Sequence, residues 1–222
     1  MAVQISKTEE ALSKILAFAK SFGEPHVALA MHAALPLGLT PELLHLIRVN
    51  FVDSADWIAE ADLLLSPLCN EVGGDLYELD REARSLLLSE FMADPEFGMR
   101  RVKELAKFLL VYAARQLAKT FHPELRDFYA TQQWAAIAYV DPEEGARLLA
   151  LALQEKLDAE NLVGTLRLAN LTQVLSAPLL SEEKVLLYAA GVQKLASGDR
   201  SSAENLFSSL GAKGEKVDLH GI

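Results

Sequence analysis

Residues 53–80 read DSADWIAEADLLLSPLCNEVGGDLYELD, a stretch that holds the densest apolar run of the chain, Trp57, the only cysteine and the only Gly-Gly pair. The rest of the chain is organised around it. Trp57, Ile58, Ala61, Leu64 and Leu65 recur at the spacing of one helix face, while Asp56, Glu60 and Asp62 fall towards the other side. That spacing predicts an amphipathic helix with the apolar stripe in the core. Ser66-Pro67 breaks it and caps a further turn carrying Leu68, Cys69 and Val72, and Gly73-Gly74 cannot continue a helix cheaply. Asp80 then restarts one as N-cap. On this reading the stretch is a junction where two helices stop and turn, with Gly73-Gly74 setting the angle, and it holds no strand.

The same signals recur in both directions. Ser6 and Glu9 stand at capping-box spacing, Leu12, Ile15, Leu16, Ala19 and Phe22 follow with helical period, and Gly23 supplies a left-handed stop. Pro25 opens a short helix to Ala34, ended by Pro36 and Gly38. Thr40-Pro41-Glu42 opens the next as N-cap, first turn and acid, and the two form a hairpin. After a helix over 81–92, Asp94-Pro95-Glu96 caps the longest periodic segment, about 96–119, carrying Val102, Leu105, Phe108, Leu109, Tyr112 and Leu117. This is the expected central helix. His122-Pro123-Glu124 opens the second half, Asp141-Pro142 with Glu143 and Glu144 caps another helix, and Asp158 and Ser181 are expected to cap two more.

The predicted fold class is therefore all-α, a multi-helix array of antiparallel hairpins joined by short loops. Residues 1–222 read as one all-helical domain, divisible into an N-terminal bundle at 1–120, a hairpin half at 121–211 and a tail at 212–222. VDLHGI at 217–222 alternates apolar and polar residues but is read as tail. Near the C-terminus, Ala190, Gly191, Gly198, Ala203 and Phe207 are spaced as in a single tetratricopeptide hairpin, with a generic helical hairpin as the alternative.

Composition bounds the function. With 51% hydrophobic and 23% charged residues in 222, the chain packs a core without needing disulfides or metal. A formal charge of −10, from 21 Lys+Arg against 31 Asp+Glu, disfavours nonspecific nucleic-acid binding and suits a basic or protein partner. Cys69 has no cysteine to pair with, which fits a reducing compartment, by default the cytoplasm. The charges at Lys7, Glu9, Glu10 and Lys14 are unlike a signal peptide, and no run approaches the roughly 18 apolar residues of a membrane span.

Reactive constellations are hard to find. His26, His32, His45, His122 and His220 never pair at the i+3 or i+4 spacing of a helical metal site, so each is expected to be structural or on the surface. Cys69, flanked by Leu68 and Asn70, reads as a small buried apolar side chain. No nucleophile elbow, phosphate-binding glycine loop or Glu-x-x-His pair occurs. No catalytic residue, cofactor or metal is therefore expected. The acidic cluster of Asp53, Asp56, Glu60, Asp62, Glu71, Asp75 and Glu78 reads as a solvated face or as a patch for a basic partner. Trp57 reads as core or as an interface anchor. Asp56, Trp57, Glu60, Glu71 and Asp75 are the candidate partner-binding residues.

HAALPLGLTPELLHLIRVNFV at 32–52, WIAEADLLLSPLCNEVGGDLYELDREARSLLL from Trp57, WAAIAYVDPEE from Trp134 and the closing LLYAAGVQKLASGD resemble an all-helical accessory region of large bacterial multidomain proteins. In that group the region sits beside caspase-like peptidase, TIR, P-loop ATPase or formylglycine-generating-enzyme-like modules of conflict or defence signalling. The resemblance covers about residues 25–222 and brings no catalytic residue. It implies an adaptor or sensor whose activity belongs to other modules. The resulting expectation is a non-enzymatic helical module that binds a protein partner. Two other classes stay open: a ligand-binding protein or enzyme whose site assembles in space, for example from His122, Glu124 and Asp127, and an oligomerising structural protein.

Overall fold

Eleven helices and one β-hairpin make up the described residues, 6–211, of the computed structural model, the side chain of Glu124 excepted. The all-α class holds. The 217–222 segment lies outside the described residues. No helix among them is long and apolar enough to cross a membrane. The chain divides into two compact units, Met1–Gln132 and Gln133–Ile222.

In the first unit, α1 (Lys7–Phe22) carries the expected reciprocal cap: Glu9 N–H donates to Ser6 Oγ and Ser6 N–H to Glu9. It is followed by α2 (Glu24–Ala33), α3 (Pro41–Phe51), α4 (Ile58–Leu64), α5 (Arg81–Ala93) and α6 (Gly98–Lys119). Thr40 caps α3 and Asp80 caps α5 through their side-chain oxygens. Asp94 Oδ1 accepts from the N–H groups of Glu96 and Phe97, in the turn that precedes α6. Helix α2 touches α1, α3, α4 and α5, which is why its apolar positions show no single outward face. Leu29, Ala30 and Ala33 are buried there, joined in the core by Leu43, Leu44 and Ile47 of α3, Ala83, Leu87 and Phe91 of α5 and Val102 and Leu105 of α6.

The strand-free reading of 66–79 is overturned. Cys69–Gly73 (β1) pairs antiparallel with Leu76–Leu79 (β2), Cys69 opposite Leu79 and Glu71 opposite Tyr77, with an irregularity between Glu71 and Gly73. Gly73, Gly74 and Asp75 all have positive φ, 112°, 61° and 59°, so the glycines set a hairpin turn and not an angle between helices. The physical reason is local. Two short runs flanking a Gly-Gly-Asp turn satisfy each other's backbone, whereas a helix through the glycines loses about 1 kcal/mol at each.

Residues 34–39 form a loop buried almost throughout, so its backbone polar groups need protein partners. They find them far away in sequence. Arg84 donates to the carbonyls of Leu35 and Pro36, and Leu39 exchanges both backbone hydrogen bonds with Tyr77 of the hairpin. From α7 (Pro123–Val140), the buried Gln132 accepts from Leu37 N–H at 3.0 Å and donates to Gly38 O at 2.9 Å. Gly38 admits the Phe128 ring at this point: a Cβ would lie 2.7 Å from it.

The boundary between the units falls inside α7. The second unit continues with α8 (Pro142–Asp158), α9 (Leu162–Val174), α10 (Glu183–Ala196) and α11 (Arg200–Ser208), each packed on the next. Asp141 caps α8 as expected, its carboxylate accepting from Glu144 N–H. The two caps expected after it are displaced. Asp158 is the last residue of α8, Glu160 takes a positive φ of 51°, and Asn161 caps α9 by accepting from Gly164 N–H. Glu182 and not Ser181 stands at the N-cap of α10, where Ser181 donates to its carboxylate. Helices α10 and α11 form the expected C-terminal hairpin, and a Cβ on Gly191 would run into the Phe207 ring.

Candidate interaction surface

Helix α4 is apolar on two sides, and the side that is buried is not the one its spacing predicts. Ala55, Ala59 and Leu63, at i, i+4 and i+8, are 2%, 0% and 0% exposed. The predicted stripe points outward instead. Trp57 is 72% exposed, Ile58 42% and Leu65 81%, while Ala61 and Leu64 are half-buried. Trp57 is thus a surface residue and not core. The inversion has a steric cause: α4 packs against α2, α3 and β1, and the small Ala55 and Ala59 admit that approach where an indole would not.

Asp56 and Trp57 are adjacent and exposed in the turn that opens α4, where the Asp56 and Trp57 carbonyls accept from Ala59 and Glu60 N–H. Glu60 is drawn away from any docking face. It accepts from Arg48 Nε at 2.5 Å and lies 3.0 Å from His45 Nδ1. Asp62 is likewise 3.1 Å from His26 Nε2. Glu71 and Asp75 are exposed on the hairpin and its turn, beside Val72, itself 51% exposed. The acidic cluster is therefore split, with Glu60 and Asp62 engaged by side chains of α3 and α2 and the others lying ahead of α4 or on the hairpin. Leu65, expected in the core stripe, and Val72, expected in a helical turn, are surface residues. The available signal was a seven-residue helix with apolar residues on both faces.

The potentially reactive groups occupy other places. His32 is fully buried among Phe91, Phe97 and Phe51, ring centroids 4.4, 5.0 and 6.1 Å away. Its Nδ1–H donates to Ala28 O at 2.7 Å, and Nε2 has no partner among the described residues. Burial pushes its pKa down to about 4, against the Ala28 hydrogen bond and Asp94 and with the help of Arg101. His26 stacks on Phe22. Burial pushes the Cys69 thiol up to about 12, the behaviour of an apolar core side chain. His122, just ahead of α7, and Asp127, in its first turns, are both exposed. Among the described residues no three His, Cys, Asp or Glu side chains gather as a metal cluster. Comparison with protein families, curated proteins and solved structures finds no match to this chain.

Proposed function

We propose that the chain is a non-enzymatic helical adaptor or sensor module that engages a protein partner through the outward face of α4. The observation that carries this reading is the simultaneous exposure of Trp57, Ile58 and Leu65 on one short helix. Scattered surface apolar residues are ordinary, but large ones grouped around a tryptophan are the composition of binding hot spots. Asp56 beside Trp57 supplies a charged rim, as do Glu71 and Asp75 for the hairpin next to α4. The resemblance to accessory regions of bacterial defence and signalling proteins supports a role beside effector modules, with the partner either a separate protein or another part of a longer polypeptide. The unpaired, buried Cys69 and the net negative charge support work in a reducing cytoplasm on protein rather than nucleic acid.

The test is affinity capture from native lysate with the intact chain and its Trp57→Ala and Leu65→Ser variants, followed by titration of the captured partner. Because both side chains are exposed, folding should change by less than about 0.5 kcal/mol. Loss of an anchor of hot-spot class should weaken the complex by about 2 kcal/mol, roughly thirtyfold. A partner retained equally by all three chains, or no stoichiometric partner at all, defeats the proposal.

A further inference from the structure

A different face of the first unit carries a groove between α3 and α6. The two helices are bridged by side chains at both ends. Phe51 meets Phe108 with ring centroids 5.4 Å apart, and Tyr112 Oη donates to Glu42 at 3.3 Å. Phe108 and Tyr112 also line an open groove of about 550 Å³. Leu46, Phe108, Val111 and Tyr112 make its apolar wall, with Asn50, Lys107 and Arg115 at its edge. Val111 is 52% exposed, so the groove shows apolar surface to water.

Charge separates this groove from the rest of the chain. Helix α6 carries Arg100, Arg101, Lys103, Lys107, Arg115 and Lys119 against a single acid, Glu104, in a chain of net charge −10. Glu104 engages Arg100 and Arg101 at 3.1 and 3.6 Å. Lys107 and Arg115 have no ion-pair or hydrogen-bond partner among the described residues. They flank Val111 at i−4 and i+4, so the three form one stripe along α6 with the two cations separated by about 12 Å of helix rise. A fatty acid or other one-headed amphiphile brings a single negative charge to a stripe that carries two cations. An amphipathic helix with acids two turns apart meets both while laying its apolar face on Val111, Phe108 and Leu46.

We propose that this groove docks an acidic amphipathic helix of a partner protein, with carboxylates two turns apart at Lys107 and Arg115. The site is independent of the α4 face, so either can fail without the other. The test is fluorescence anisotropy on the full chain with a labelled helical peptide carrying Leu at i, i+3, i+4 and i+7 and Glu two turns apart. Its twin has Lys at those two positions, and dodecanoate and phosphatidylglycerol vesicles serve as further probes. The acidic peptide should bind saturably, weaken with salt, and exceed its twin by roughly tenfold, the scale of two exposed charge pairs. Lys107→Glu with Arg115→Glu should reverse that preference, and Val111→Glu should abolish binding of either peptide, all with unchanged thermal melts because the three side chains are exposed. Equal binding of the two peptides, indifference to the charge reversal, or binding of dodecanoate or vesicles in preference to the acidic peptide overturns the proposal. So does self-association of the chain that Val111→Glu removes, since the groove would then hold a second copy.

Discussion

Acid should destabilise the first unit through one buried imidazole. His32 has a pKa of about 4 in the folded chain against 6.5 when unfolded, because protonation would place a charge among Phe51, Phe91 and Phe97 with no partner for Nε2. The folded pKa is the lower one, so the unfolded chain binds more protons between those values and stability falls as pH falls. The His32 contribution is intact above pH 6.5. It is diminished by roughly 1 kcal/mol at pH 5.5 and by roughly 3 kcal/mol at pH 4.5, where it is close to levelling off. Urea unfolding at these pH values, for the wild type and His32→Gln, isolates the effect from the carboxylates that titrate in both. The variant should be less stable at pH 7.5, through lost packing, yet its stability should decline less steeply with acid, so that the gap narrows by roughly 2–3 kcal/mol by pH 4.5. Parallel pH profiles for the two proteins would refute the reasoning, since they would mean that His32 is hydrated or paired when folded.

Gly145→Ala probes a close backbone approach of α8 to α7 in the second unit, where the new Cβ would lie 2.7 Å from Ala138 Cα and would have to reach the 3.4 Å of ordinary contact. An open helix site gains about 1 kcal/mol from this change, whereas here we expect a net loss of about 1–2 kcal/mol in urea melts, and a gain would show that α7 and α8 are not in close contact. Cys69, with its thiol raised to about 12, should be alkylated by iodoacetamide at pH 8 only as fast as the protein opens, and stoichiometric labelling within the mixing time would contradict its burial.

Much of this fold is legible from termini. The caps at Ser6, Thr40, Asp80 and Asp141 act through side-chain oxygens that bond within three residues, so sequence spacing alone locates them. Asp158 and Ser181 fail for a related reason. Asn161 and Glu182 lie close by, and which of two neighbouring polar residues ends in the cap depends on turn geometry such as the positive φ of Glu160. The 66–79 hairpin is missed because a run of Leu, Cys and Val beside two glycines suits a broken helix as well as a strand pair, and the Leu39–Tyr77 pairing that fixes it comes from outside the stretch. The candidate site was half legible. Asp56 and Trp57 are where a partner could meet them, yet the exposure of Trp57 was not legible, because periodicity detects that α4 has an apolar stripe and is silent on which of its two stripes meets α2. The loss of Glu60 to Arg48 and His45 could not be read either, since those partners sit 12 and 15 residues away across a helix pair.

The Gln132 side chain stands in for a strand edge when it closes the 34–39 loop, and this has a consequence for synthesis on the ribosome. The two hydrogen bonds join residues 95 and 94 positions apart. At roughly 5–20 residues per second, the loop is made some 5–20 s before its last partner is translated. Until then the Leu37 amide and Gly38 carbonyl must be satisfied by water, which keeps apolar Leu35 and Leu39 from settling. The 34–39 loop therefore cannot complete its hydrogen bonding until the middle of α7 has emerged, and a chain halted before Gln132 should be more open to proteases at this loop.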